Sequence, residues 1–106
     1  MKQIMLITAP YCGACKAYYK KIFEPVMLAC AFHWKIDIQM QAVDGMEHPE
    51  IARRHRITNV PALVITDEAG TQVIRKGLPD RDKLCEIAGI SPLTDEEAEG
   101  DGDDLG

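Results

Sequence analysis

Apolar runs, alternating stretches and helical periods follow one another along the chain without repeating. Residues 3–8 (Gln3-Ile4-Met5-Leu6-Ile7-Thr8) are short and apolar and stop before Pro10, which predicts a buried strand. Over residues 12–32 the period changes. Cys15, Tyr18, Ile22, Val26 and Ala29 recur at steps of three and four, opposed by Lys16, Lys20, Lys21 and Glu24. That is the pattern of an amphipathic helix. Pro25 interrupts it. Proline has no N–H for the carbonyl four residues back, so a kink or two consecutive helices are expected there. Residues 35–43 alternate, with Ile36, Ile38, Met40 and Ala42 against Asp37, Gln39 and Gln41, giving a strand with one wetter face.

Residues 47–55 form a short helical period. Pro49 suits its first turn and Arg53, Arg54 and Arg56 lie near its end, where positive charge is favourable. A second strongly apolar run spans 60–66. The turn Asp67-Glu68-Ala69-Gly70 joins it to a strand at 71–76, making a hairpin. Gly77 breaks that strand. Residues 79–88 predict a last helix with Leu84, Ile87 and Ala88 inward and Gly89 at its C-terminal cap. The order is β-α-β-α-β-β-α. Its early β-α-β unit implies a parallel strand pair with a right-handed crossover, and the late hairpin adds antiparallel strands. The expected class is α/β: a central four-stranded mixed sheet flanked by helices, with no internal repeat and no second domain.

Composition sharpens this picture at three points. With 106 residues, 46% of them apolar, the chain has material for one modest core. No apolar run approaches the roughly 20 residues of a membrane span. The N-terminus offers one Lys2 and a short apolar run before Pro10, too little for a secretory leader. A cytoplasmic protein is therefore expected. There thiols are mostly reduced, so the four cysteines point to catalytic, metal-binding or buried roles rather than structural disulfides. The net charge of −5 is unevenly placed. Seven of the 17 acids fall in residues 94–106, leaving ten against 12 bases in the remainder. The expected organisation is a folded domain at 1–91 and an acidic, Gly-rich, disordered and solubilising tail at 92–106. The mildly basic body makes no case for nucleic-acid binding.

The candidate chemistry lies where the first strand gives way to the first helix, at Cys12-Gly13-Ala14-Cys15-Lys16. A thiol at a helix N-terminus meets unpaired N–H groups and the positive end of the helix dipole, both of which favour thiolate. Thiolate is the nucleophile of disulfide exchange, and Cys-x-x-Cys nucleophiles titrate at about 3.5–7.5 against ~8.5 for a free thiol. Cys12 is expected to attack and Cys15, one turn deeper, to resolve. A zinc site is the competing reading: Cys12, Cys15, Cys30 and His33 form a Cys-x₂-Cys-x₁₄-Cys-x₂-His set. If residues 15–30 are helical, Cys15 and Cys30 stand about 22 Å apart, and only a reversal at Pro25 brings them together. Cys30 and Cys85 lie among Leu28, Ala29, Leu84 and Ile87 and read as small buried hydrophobes. Phe32 and Trp34 read as core or helix-end packing, and His33, His48 and His55 as ordinary surface histidines.

The element order, the Cys-Gly-Ala-Cys after the first strand and Val60-Pro61 before the third together resemble the thioredoxin-like superfamily over residues 2–90. Ala9-Pro10-Tyr11-Cys12-Gly13-Ala14-Cys15-Lys16 is similar to a thioredoxin active site, with Tyr11 where Trp is common. Arg56-Ile57-Thr58-Asn59-Val60-Pro61-Ala62-Leu63 resembles the cis-proline segment, and Gly77 matches a Gly after the fourth core strand. In size the chain resembles a minimal thioredoxin or a glutaredoxin. Thr-Val-Pro of glutaredoxins is matched by Asn59-Val60-Pro61, but their Gly-Gly-x-Asp glutathione element is reduced to a single Gly77.

The resemblance implies a thiol–disulfide oxidoreductase without bound cofactor or metal. Cys12 and Cys15 would be catalytic, and Tyr11, Gly13, Ala14, Val60, Pro61 and Gly77 would surround the substrate. The implied partners are disulfide-containing proteins and, as electron donor, a flavin- and NADPH-dependent reductase or glutathione. Nucleic acid and membrane are not implied, and a monomer is expected. The chain departs from the thioredoxin pattern at Leu6, where the family carries a buried Asp, and at Met40, where its Lys partner aligns. Proton transfer from Cys15 then falls to water or to another group, with Glu24 and Asp44 as candidates. A non-enzymatic adaptor of this fold and the zinc module are the alternatives.

Overall fold

A computed structural model describes residues 1–93; the acidic stretch from Thr94 onward, expected as a disordered tail, lies outside the described residues. The elements are β1 (Lys2–Thr8), α1 (Gly13–Tyr18), α2 (Glu24–Leu28), β2 (Ile38–Asp44), α3 (Pro49–Arg54), β3 (Ala62–Asp67), β4 (Gly70–Ile74) and α4 (Arg81–Ala88). The four strands form one mixed sheet in the order β2-β1-β3-β4. β1 runs parallel to β2 and antiparallel to β3, and β3 pairs antiparallel with β4.

Period-2 geometry divides the apolar residues of the two central strands between the sheet faces. Ile4 and Leu6 of β1 and Leu63 and Ile65 of β3 join Phe23, Val26, Cys30, Leu84 and Cys85 in the larger core. Ile7, Ala62 and Val64 face the other way, onto Ile57 and the α3 residues Ile51 and Ala52. Leu93 is also buried in the larger core, so the core draws on a residue beyond the expected boundary at 91. Leu6, standing where the resemblance implies a buried carboxylate, is fully buried among these apolar side chains.

The long helical period is not split into two helices at Pro25. It is one continuous run in which α1 and α2 are linked by a wide π turn, Tyr19–Phe23, and followed by another, Ala29–Trp34. In the first turn the Glu24 amide donates to the Tyr19 carbonyl, five residues back. This widening directly ahead of Pro25 accommodates a ring that an α turn would press against the carbonyl four residues earlier. Nothing in the local sequence explains the second wide turn.

Each wide turn takes up one residue more than an α turn, so the inward face slips. Phe23, Val26 and Cys30 are buried, whereas Ile22 and Ala29, expected inward, are only partly covered. Phe32 and Trp34 are 73% and 40% exposed; they sit at the helix end and not in the core. Lys35, in the left-handed conformation, ends the run. α4 is closed at both ends. Asp80 accepts a hydrogen bond from the Lys83 amide at 2.8 Å, and Gly89 takes the left-handed C-terminal position at φ 92°. Among the described residues no helix is long and apolar enough to cross a membrane.

Candidate active site

Strand register builds the site. Ile7 pairs with Ala62, so the chain leaving β1 after Thr8 runs beside the chain entering β3. Cys12 emerges from the first and Val60-Pro61 from the second. The Cys12 sulfur lies 3.9 Å from the Val60 carbonyl oxygen, and the Val60–Pro61 peptide bond is cis. Thr8 pairs with Asp44 across β1 and β2, which sets the end of β2 on the other flank. There the Gly45 amide donates to the Thr8 carbonyl at 2.8 Å, an approach so close that a Cβ on Gly45 would stand 3.2 Å from the Ile7 side chain.

Cys12 is the N-cap of α1. Its backbone is extended, its carbonyl accepts from the Lys16 amide at 3.2 Å, and its sulfur accepts from the Cys15 amide at 3.1 Å. An N–H donated to sulfur and the open first-turn amides of Gly13 and Ala14 favour negative charge there. Cys12 and Cys15 are joined by a disulfide with a Cα–Cα distance of 5.2 Å. The two sulfurs differ in setting: Cys15 is 1% exposed, whereas Cys12 is partly open to solvent. Tyr11, preceding the pair, is 97% exposed, and Gly13 and Ala14 are exposed in the first turn of α1.

Gly77 is exposed in the loop between β4 and α4, at φ +62°, the left-handed region that favours glycine. No hydrogen bond joins it to the cysteines among the described residues. Its loop is tied to α1 two residues further on, where the Tyr18 hydroxyl donates to the Pro79 carbonyl at 2.7 Å. Burial, and secondarily the charge of Asp80, pushes the Tyr18 ionisation upward, so this hydroxyl keeps its proton. The segment before Pro61 is held by Arg75, whose guanidinium donates to the carbonyls of His55 at 2.6 Å and Arg56 at 3.1 Å. Sequence reasoning missed both tethers. Each joins residues far apart in the chain, and no local pattern marks them.

The zinc set does not assemble. Cys30 is buried in the helix–sheet core, and among the described residues no three His, Cys, Asp or Glu side chains converge to hold a metal. Burial, with the neighbouring Cys85, pushes the Cys30 thiol up to about 11, the behaviour of an inert core thiol. Glu24, a candidate for proton transfer, faces the Tyr19 hydroxyl instead. Asp44, the other candidate, lines a cavity together with Cys15.

The family model described as Thioredoxin matches residues 1–88. The chain belongs to the thioredoxin family. Among solved structures it is similar to a point mutant of the thioredoxin from Halobacterium salinarum, with 24% identity and a TM-score of 0.62 over 88% of this chain and 77% of the other. It is likewise similar to thioredoxin 1 of Thermosipho africanus, with 20% identity and a TM-score of 0.57 over 81% and 89% of the two chains. Mitochondrial thioredoxin 3 of Saccharomyces cerevisiae, in its oxidized form, matches at 22% identity and a TM-score of 0.55 over 84% and 76%. These likenesses carry the fold. No curated protein sequence matches the chain. The bonded Cys12–Cys15 pair in a thioredoxin domain fits thiol–disulfide exchange at the level of the family.

Proposed function

We propose that the protein is a thiol–disulfide oxidoreductase acting on disulfide-bonded polypeptides. The observation that carries this reading is the asymmetry of the bonded pair: a capped, partly open Cys12 sulfur beside a backbone carbonyl, joined to a sequestered Cys15. In the reduced form the Cys12 thiolate attacks a substrate disulfide. One substrate sulfur leaves and a mixed disulfide forms. The Cys15 thiolate then attacks Cys12, the second substrate sulfur leaves, and the Cys12–Cys15 bond closes, so two electrons have passed to the substrate. An extended substrate backbone lies along Val60 and Pro61 as an added strand, and Tyr11, Gly13, Ala14 and Gly77 border it. Electrons return from a flavin- and NADPH-dependent reductase or from glutathione. The working form is a cytoplasmic monomer without bound cofactor.

Insulin reduction in the presence of dithiothreitol tests this. The wild-type protein accelerates precipitation of the insulin chains, Cys12→Ser abolishes the acceleration, and Cys15→Ser accumulates covalent mixed disulfides. No acceleration by the wild type, or full activity in Cys12→Ser, contradicts the reading.

A further inference from the structure

The resolving step needs a thiolate at Cys15, and Cys15 is the sequestered member of the pair. The β1 position from which the family supplies a carboxylate holds Leu6, packed into the apolar core. A cavity of about 410 Å³ opens against Cys15 from the other side, between α1 and the ends of β1 and β2. This is ample room for water, which occupies about 30 Å³ per molecule. Its floor is mostly apolar, from Ala9, Pro10 and Ala42. Among the described residues one acid lines it, Asp44, together with Lys16 and Lys20.

Asp44 is held in place rather than free to swing. Its Oδ1 accepts from the Met46 amide at 2.8 Å, and its backbone is fixed by pairing with Thr8. The second carboxylate oxygen has no hydrogen-bond partner among the described residues. The titratable and charged residues that line the cavity with Asp44 are Cys15, Lys16, Tyr19 and Lys20; Glu47 and His48 follow on its own turn, their amides donating to the Asp44 backbone carbonyl. β1 contributes Thr8, and the chain that leaves it contributes Ala9 and Pro10, none of them titratable.

We propose that Asp44 accepts the Cys15 proton through water in this cavity and so promotes resolution of the mixed disulfide. This rests on the assignment of Cys15 as resolving thiol. The Cys15 proton passes to water and on to the Asp44 carboxylate. The thiolate attacks the Cys12 sulfur, the Cys12–substrate bond breaks, and the substrate sulfur departs with the electron pair. When the pair is reduced again, the proton returns by the same route.

Stopped-flow reaction of the reduced protein with a small chromogenic aromatic disulfide separates the two steps, because each releases one coloured thiolate. Asp44→Asn retains an oxygen for the Met46 amide but removes the base. It is expected to leave the first phase unchanged and slow the second at least tenfold near neutral pH, below the usual range for full general-base catalysis. The deficit should shrink at alkaline pH, where hydroxide deprotonates Cys15 directly, and Asp44→Glu should restore the second phase in part. A second phase in Asp44→Asn that is unchanged, faster, or slowed equally at every pH overturns the proposal while leaving the oxidoreductase reading intact. A wild-type protein that shows the first phase and lacks the second overturns both this proposal and the role of Cys15.

Discussion

Two kinds of cysteine share this small chain, and their environments explain the difference. Cys12 caps a helix, accepts an amide hydrogen bond and reaches solvent. Cys30 is 2% exposed in a cluster of aliphatic and aromatic side chains. Burial opposes its charged form and lifts its ionisation from 9.0 to about 11, with Cys85 adding to the rise. In that interval the unfolded chain releases a proton that the native protein retains. The stabilisation is therefore complete below pH 9 and is lost as pH rises towards 11. Thermal melts across this range should show Cys30→Ala losing stability less steeply than the wild type. Parallel slopes would mean that Cys30 ionises normally in the folded protein.

At the scale of elements, the pattern of apolar positions was enough for the order of strands and helices, because each strand and helix is a local period. It was not enough for the phase of the long helix. The wide turn before Pro25 arises from a steric conflict, and the residue it takes up rotates Phe23 inward in place of Ile22. In the site, the Cys-x-x-Cys pair and Val60-Pro61 were legible from motif and family resemblance. The tethers that hold their surroundings were not, since Tyr18 and Arg75 meet backbone carbonyls brought near only by the folded sheet. The Tyr18–Pro79 hydrogen bond links the helix carrying the cysteines to the loop carrying Gly77. Tyr18→Phe is expected to lower stability in urea denaturation by about 1 kcal/mol, the usual net worth of such a bond. It should leave the attack of Cys12 on a small disulfide unchanged. A neutral effect on stability would show that water replaces the tether without cost.

Across the whole molecule, sheet order and site are one arrangement. Antiparallel pairing of β1 with β3 sets Cys12 beside Val60, and parallel pairing of β1 with β2 sets Asp44 beside Thr8 on the opposite flank. The Cys12 sulfur thus has a backbone edge on one side, and a cavity opens on its partner Cys15 on the other. The proposed function depends on Cys12 being an ionised, reachable thiol while the other three cysteines are not. Alkylation of the fully reduced protein by iodoacetamide across pH, with the modified site identified by mass spectrometry, tests this most directly. Rapid modification is predicted at Cys12 alone, with a midpoint below the ~8.5 of a free thiol, and slow modification at Cys15, Cys30 and Cys85. A midpoint at or above that value, or labelling spread evenly over the four cysteines, would contradict it.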